Sequence, residues 1–151
     1  MTMFPRLLVA TVAAALLPFL AAGCGPQAPV NSPEQYEVGS LDEVGQLYSS
    51  SYAVTKKAPK SLKNLVRADV FAGGFESIKK GEIIVYWGVT PTTSDAADAG
   101  EVLAYKADVP EKGGYVLLKD LTMKTMTPAE FQAAPKPPGP TSAETKAETK
   151  K

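Results

Sequence analysis

The sequence predicts an α+β fold: N-terminal helices packed on an antiparallel sheet of three to four strands, with a short closing helix. Three observations predict it. Leu41, Val44, Leu47, Tyr48 and Tyr52 recur at helical spacing and form one apolar stripe. From Gly81 onward the pattern changes to short runs rich in β-branched and aromatic residues, separated by polar turns. Thr127-Pro128-Ala129-Glu130 then has the composition of a helix start, with Thr as N-cap, Pro at the first helical position and Glu at the third.

The first helix is expected to begin at Ser40, because Ser40-Leu41-Asp42-Glu43 has the capping-box pattern in which hydroxyl and carboxylate satisfy each other's backbone N–H. It should end near Lys56-Lys57, where two cations suit the C-terminal dipole and Pro59 prevents continuation. A shorter helix is expected from Ser61 to about Ala68, with Leu62, Leu65 and Val66 inward, before Gly73-Gly74 breaks the chain. Residues 82–89 (EIIVYWGV) read as a central strand covered on both faces. A polar loop over 90–100 leads to a second strand over 101–107, and 110–114 reads as a turn. Residues 115–119 and 122–126 form a tight pair around Asp120-Leu121, and Phe131 is placed to pin the closing helix to the sheet.

Composition divides the chain around this 40–134 core. Residues 24–39 hold three prolines and no apolar periodicity, so they read as a tether. The fifteen residues from Gly25 to Gly39 span roughly 20 Å as a coil or about 45 Å as extended polyproline. Residues 135–151 (PKPPGPTSAETKAETKK) contain no large apolar side chain and read as a disordered tail. Residues 1–23 form a leader: Arg6 precedes an apolar run from Leu7 to Ala22, interrupted by Thr11 and Pro18. That run is shorter than the about 20 residues a transmembrane helix needs, and it ends in small residues as a signal peptide does.

The leader closes with Leu20-Ala21-Ala22-Gly23-Cys24, and Cys24 is the only cysteine in the chain. This resembles the lipobox of bacterial lipoproteins, except that Ala21 occupies the place usually held by Leu and Leu20 lies one position earlier. The resemblance implies cleavage after Gly23 and a Cys24 thiol carrying diacylglycerol, with two or three acyl chains such as palmitate. One chain gives only marginal, reversible binding, and each buried CH₂ adds about 0.8 kcal/mol. Gly25, rather than Asp, after the cysteine implies the outer membrane where the usual sorting operates. The domain would then face the periplasm or the exterior. An ordinary secretory leader cut near Ala22, leaving a free thiol, is the alternative.

A second resemblance is carried by Leu47-Tyr48 and Tyr52, by Ala58-Pro59-Lys60-Ser61-Leu62-Lys63-Asn64-Leu65, and by Val102-Leu103-Ala104-Tyr105. It continues through Gly113-Gly114-Tyr115-Val116-Leu117-Leu118-Lys119-Asp120 to Met126-Thr127-Pro128-Ala129-Glu130-Phe131. These residues resemble the globular part of type II secretion pseudopilins and prepilin-like H-X9-DG proteins, which implies a pilin-like fold. Two departures stand out. Leu121 replaces the glycine of the Asp-Gly hairpin and resists the positive φ that a two-residue type I′ turn requires, so the turn should differ locally. A lipobox also replaces the prepilin peptidase site and its long hydrophobic helix.

Removing residues 1–23 leaves 128 residues, enough for one domain. Arg6 is the leader's only charged residue, so 15 basic and 16 acidic residues remain, and no basic footprint for nucleic acid exists. The absence of histidine excludes Ser-His-Asp triads, histidine general bases and histidine metal ligands. Asp95, Asp98 and Glu101 around Gly100 are candidate calcium ligands, although their spacing matches no EF-hand and acidic loops are usually just solvated. Tyr86, Trp87 and Tyr105 are a candidate aromatic platform or simply core. Lys56-Lys57-Lys60-Lys63 and Lys79-Lys80 either contact anionic headgroups or a wall polymer, or are ordinary helix-end charges. Ser49-Ser50-Ser51 has no companion base.

The expectation is a membrane-anchored, non-enzymatic envelope lipoprotein without a cofactor, which binds or scaffolds another envelope component, a protein partner among the possibilities. The alternative is an envelope lipoprotein that binds a small ligand or calcium.

Overall fold

The apolar stripe organises the molecule. In the computed structural model, which describes residues 33–148, it lies on helix α1 (Pro33–Thr55), with Leu41, Val44, Leu47 and Tyr48 buried. Each such side chain contributes about 1.5–3 kcal/mol on burial. A 3₁₀ turn (Leu62–Asn64) and helix α2 (Ala72–Lys80) follow. Strands β1 (Ile83–Val85), β2 (Val102–Lys106), β3 (Gly114–Leu118) and β4 (Met123–Met126) form one antiparallel sheet in the order β1-β2-β3-β4. Helix α3 (Val109–Lys112) joins β2 to β3, while α4 (Pro128–Ala133) and α5 (Ser142–Glu148) follow β4. The fold is therefore α+β.

The two faces of the sheet are covered by different helices. A Cβ placed on Gly45 of α1 would sit 3.5 Å from the Leu117 methyl groups, so α1 covers the Leu117 face. Val116 points the other way and pairs with Tyr105, whose ring lies 4.7 Å from that of Phe131 on α4. Ile83 to Trp87 are all buried as a result.

The helix layer departs from expectation at both ends of α1. The expected tether, 24–39, overlaps the helix, because α1 already begins at Pro33, a residue tolerated in a first helical turn. Ser40 is consequently a buried mid-helix residue rather than an N-cap. Glu43 instead reaches across to α2, where its Oε2 accepts the Gly74 N–H at 2.6 Å. One helix thus caps the next. Gly73-Gly74 does not break the chain but lets the two helices touch: a Cβ on Gly74 would lie 2.8 Å from Glu43 Cβ and 2.9 Å from the Val44 nitrogen. The helix expected over 61–68 shrinks to the 3₁₀ turn. At the C-terminus of α1 the expectation holds, with Lys56 in a left-handed conformation (φ 54°).

Leu121 adopts positive φ (66°), yet the turn is not type I′. The Leu121 N–H donates to Leu118 O at 2.9 Å and the Leu118 N–H to Thr122 O at 2.9 Å, closing a three-residue loop. Such loops need positive φ at one position only. The cost for a non-glycine residue, about 1–2 kcal/mol, is offset by Leu121 packing on the core and by Asp120, which accepts from the Thr122 amide and hydroxyl at 3.0 and 2.6 Å.

The largest correction concerns the expected disordered tail. Pro135 O accepts the Val102 N–H at 3.0 Å, and Pro140 O accepts the Trp87 N–H at 3.0 Å. Thr141 bridges Tyr86, and Ser142 Oγ accepts the Val85 N–H at 3.0 Å. β1, expected as a central strand, lies at one end of the strand order, and residues 140–142 cover its open edge. The backbone donors of an edge strand need acceptors, and carbonyls supply them without any apolar side chain. That is why an apolar-pattern reading passes over this segment.

Candidate functional site

Three elements converge beside β1: the 3₁₀ turn, the C-terminal turn of α2 and helix α5. Each is placed by a local rule. Ser61 donates to Asn64 Oδ1 at 3.0 Å across the 3₁₀ turn. Gly81 ends α2 in the left-handed conformation (φ 89°), its N–H returning to Ser77 and Ile78 carbonyls. Thr141 and Glu144 start α5 with a reciprocal cap, at 2.7 Å from the Thr141 N–H to Glu144 and 3.3 Å from the Glu144 N–H to Thr141 Oγ1. Lys146 then donates to the carbonyls of Lys79 and Lys80 at 3.0 and 3.2 Å, tying α5 to the end of α2.

Between these elements lies a cleft of about 440 Å³, within the range of about 300–1,000 Å³ usual for small-molecule sites. Leu62, Ile78 and Trp87 supply its apolar lining, and Lys63, Lys79 and Lys146 its cations. Ser61, Ser142 and Thr145 add hydroxyls, and no acidic residue lines it among the described residues. Trp87 is only 3% exposed, and its indole Nε1–H meets no acceptor among the described residues. A buried donor left in that state costs about 1–3 kcal/mol. Lys63 makes no ion pair among the described residues, whereas Lys79 shares an exposed one with Glu76 at 3.0 Å.

The other candidates separate. Tyr86 and Tyr105 are no joint platform with Trp87: their rings lie 6.1 Å apart on the α4 side, while Trp87 lines the cleft. Burial pushes the Tyr105 phenol up to about 12, the nearby Tyr86 adding to the effect, and burial also raises Tyr86. Tyr48 is raised further still by burial; its hydroxyl accepts the Val89 N–H at 3.0 Å and ties α1 to the chain beyond β1. In the acidic loop, the Lys119 ammonium sits between Asp98 and Glu101, at 3.2 Å from the latter, and its hydrogen bond holds the Asp98 carboxyl below its ordinary range. Asp95 is lowered chiefly by a hydrogen bond with Thr93. Among the described residues, no group of three or more carboxylates or thiols is arranged to hold a metal. Ser51 Oγ donates to Leu47 O at 2.6 Å and accepts the Val66 N–H at 2.9 Å, so it fastens a loop to α1.

Of the lysine clusters, Lys63 and Lys79 reach the cleft, and Lys56, Lys57, Lys60 and Lys80 are not among its lining. Sequence reasoning missed Ser142, Thr145 and Lys146. The available signal was Thr141-Ser142-Ala143-Glu144 directly after Pro140, a repeat of the helix-start pattern recognised at Thr127. Gly23 and Cys24 lie outside the described residues. Among those residues, no helix is long and apolar enough to cross a membrane. Comparisons with protein families, curated proteins and solved structures found no match.

Proposed function

We propose that this is a lipid-anchored, non-enzymatic protein of the cell envelope whose domain binds another envelope component in the Trp87 cleft. The anchor rests on Leu20-Ala21-Ala22-Gly23-Cys24. The observation that carries the binding reading is the cleft itself: a concave apolar surface with a cationic rim and a buried indole donor without an acceptor. Helix α1 laid across an antiparallel meander supports the resemblance to pseudopilin globular domains, with a lipid on Cys24 in place of their hydrophobic helix.

The small-ligand form of this reading is favoured over a flat scaffold, because convergent polar groups in a concave apolar site are what fix a small ligand. The calcium form is disfavoured, because Lys119 already supplies the counter-charge to Asp98 and Glu101.

Metabolic labelling with an alkyne palmitate, combined with membrane fractionation, tests the anchor. Wild type should be labelled and sediment with membranes, and Cys24→Ala should lose both properties. A Cys24→Ala protein that is processed normally and stays membrane-bound would overturn the anchoring.

A further inference from the structure

We infer that the Trp87 cleft binds a small anionic amphiphile, its apolar body against Leu62, Ile78 and Trp87 and its carboxylate or phosphate group held by Lys63 and Lys79. This rests on the reading of the cleft as a binding site, but not on the lipid at Cys24. Charge sets the sign of the ligand. Among the described residues three lysines and no acidic residue line the cleft, so a cationic amphiphile is disfavoured and a neutral one gains nothing from the lysines.

The lysines are not equivalent. Lys146 is committed to the carbonyls of Lys79 and Lys80. Those carbonyls end α2, where the helix dipole is negative and would oppose an anion. By capping them, Lys146 removes that opposition and acts as a positioning residue. Lys63 has no ion pair among the described residues, and Lys79 is shared only with Glu76 in a pair exposed to solvent on both sides. Such exposed pairs contribute little, so an anion can recruit Lys79. The apolar lining explains why the ligand is an amphiphile rather than a bare phosphate. Trp87, a lining residue that is itself 3% exposed, offers the ligand body a fixed aromatic surface.

Trp87 is the only tryptophan in the chain, so its fluorescence reports the cleft directly. With the full chain in phosphatidylcholine vesicles, octyl phosphate and octanoate should shift Trp87 emission saturably. Octanol and octyltrimethylammonium at equal concentration should not. Lys63→Glu combined with Lys79→Glu should raise the octyl phosphate midpoint at least tenfold, with circular dichroism and thermal midpoint unchanged. Lys63→Gln, which only neutralises, should raise it about threefold. Vesicles doped with phosphatidylglycerol separate the sources: a shift without added octyl phosphate identifies a bilayer lipid, and a shift only with it identifies a free amphiphile.

The inference is overturned if octanol acts as strongly as octyl phosphate, or if charge reversal leaves the midpoint in place. Should Trp87 stay silent to every anion while charge reversal abolishes capture of an envelope protein, the ligand class fails and the cleft survives as a binding site.

Discussion

Helices α4 and α5 begin with the same device and are held by different forces. Thr127 and Glu130 exchange hydrogen bonds at 2.7 and 3.3 Å, and Thr141 and Glu144 do so at the same two distances. Four residues after the cap, α4 has Phe131, 3% exposed, its ring against Tyr105 and under the Lys136 ammonium. At the same place α5 has Thr145, whose hydroxyl donates to the carbonyls of Thr141 and Ser142. One helix is fixed by buried area and the other by the hydrogen bonds of a sheet edge. A cap therefore sets where a helix starts, and something else must say what it rests on.

The sharpest test removes the buried area. Phe131→Ala should cost about 3–5 kcal/mol, whereas Thr145→Ala should cost about 1 kcal/mol or less. Urea denaturation read by circular dichroism measures both, and equal losses would erase the distinction between the two helices.

A smaller effect comes from the caps. Thr127→Ala should lower global stability by about 1–2 kcal/mol. Thr141→Ala should barely move the global transition, yet speed amide exchange at Val85 and Trp87, because the segment that covers β1 opens as a separate unit. Hydrogen exchange followed by mass spectrometry distinguishes a local from a global loss.

The smallest effect is acid sensitivity. Glu130 and Glu144 are both held below the ordinary glutamate value of 4.5, first by the backbone N–H of Thr127 and Thr141 and then by their hydroxyls. A depressed folded pKa gives stability that is complete above the unfolded value and lost as pH falls through the folded one. Below about pH 4.5, both caps should weaken. Glu144→Gln should abolish the acid dependence of Trp87 amide exchange and leave that of global unfolding unchanged.

Much of the layout was legible in the residues. The stripe from Leu41 to Tyr48 marked the buried face of α1, and Thr127 with Glu130 marked the start of α4. The alternation of strand runs and turns marked β2, β3 and β4. What failed has a common cause. Ser40 with Glu43 has the same local pattern as Thr127 with Glu130, but Glu43 is spent on the Gly74 amide of another helix. Gly73-Gly74 looks like a break because a glycine pair says nothing about which backbone lies 3 Å away. Part of the candidate site was visible as scattered lysines and one tryptophan. Three of its nine lining residues, Ser142, Thr145 and Lys146, sat in a segment with no large apolar residue to announce it.

By itself, then, the sequence determined the α+β class, the inward face of α1 and the Thr127 cap, because each depends on neighbours within a few residues. Only the tertiary structure decided that Glu43 caps α2 and that β1 lies at the edge of the sheet. It alone decided that residues 140–142 close that edge and that α5 joins Trp87, Lys63 and Lys79 in one cleft. Those outcomes depend on backbone donors and acceptors finding partners 31 to 67 residues away in the chain, and hydrogen bonding of that kind leaves no periodic mark on the residues that make it.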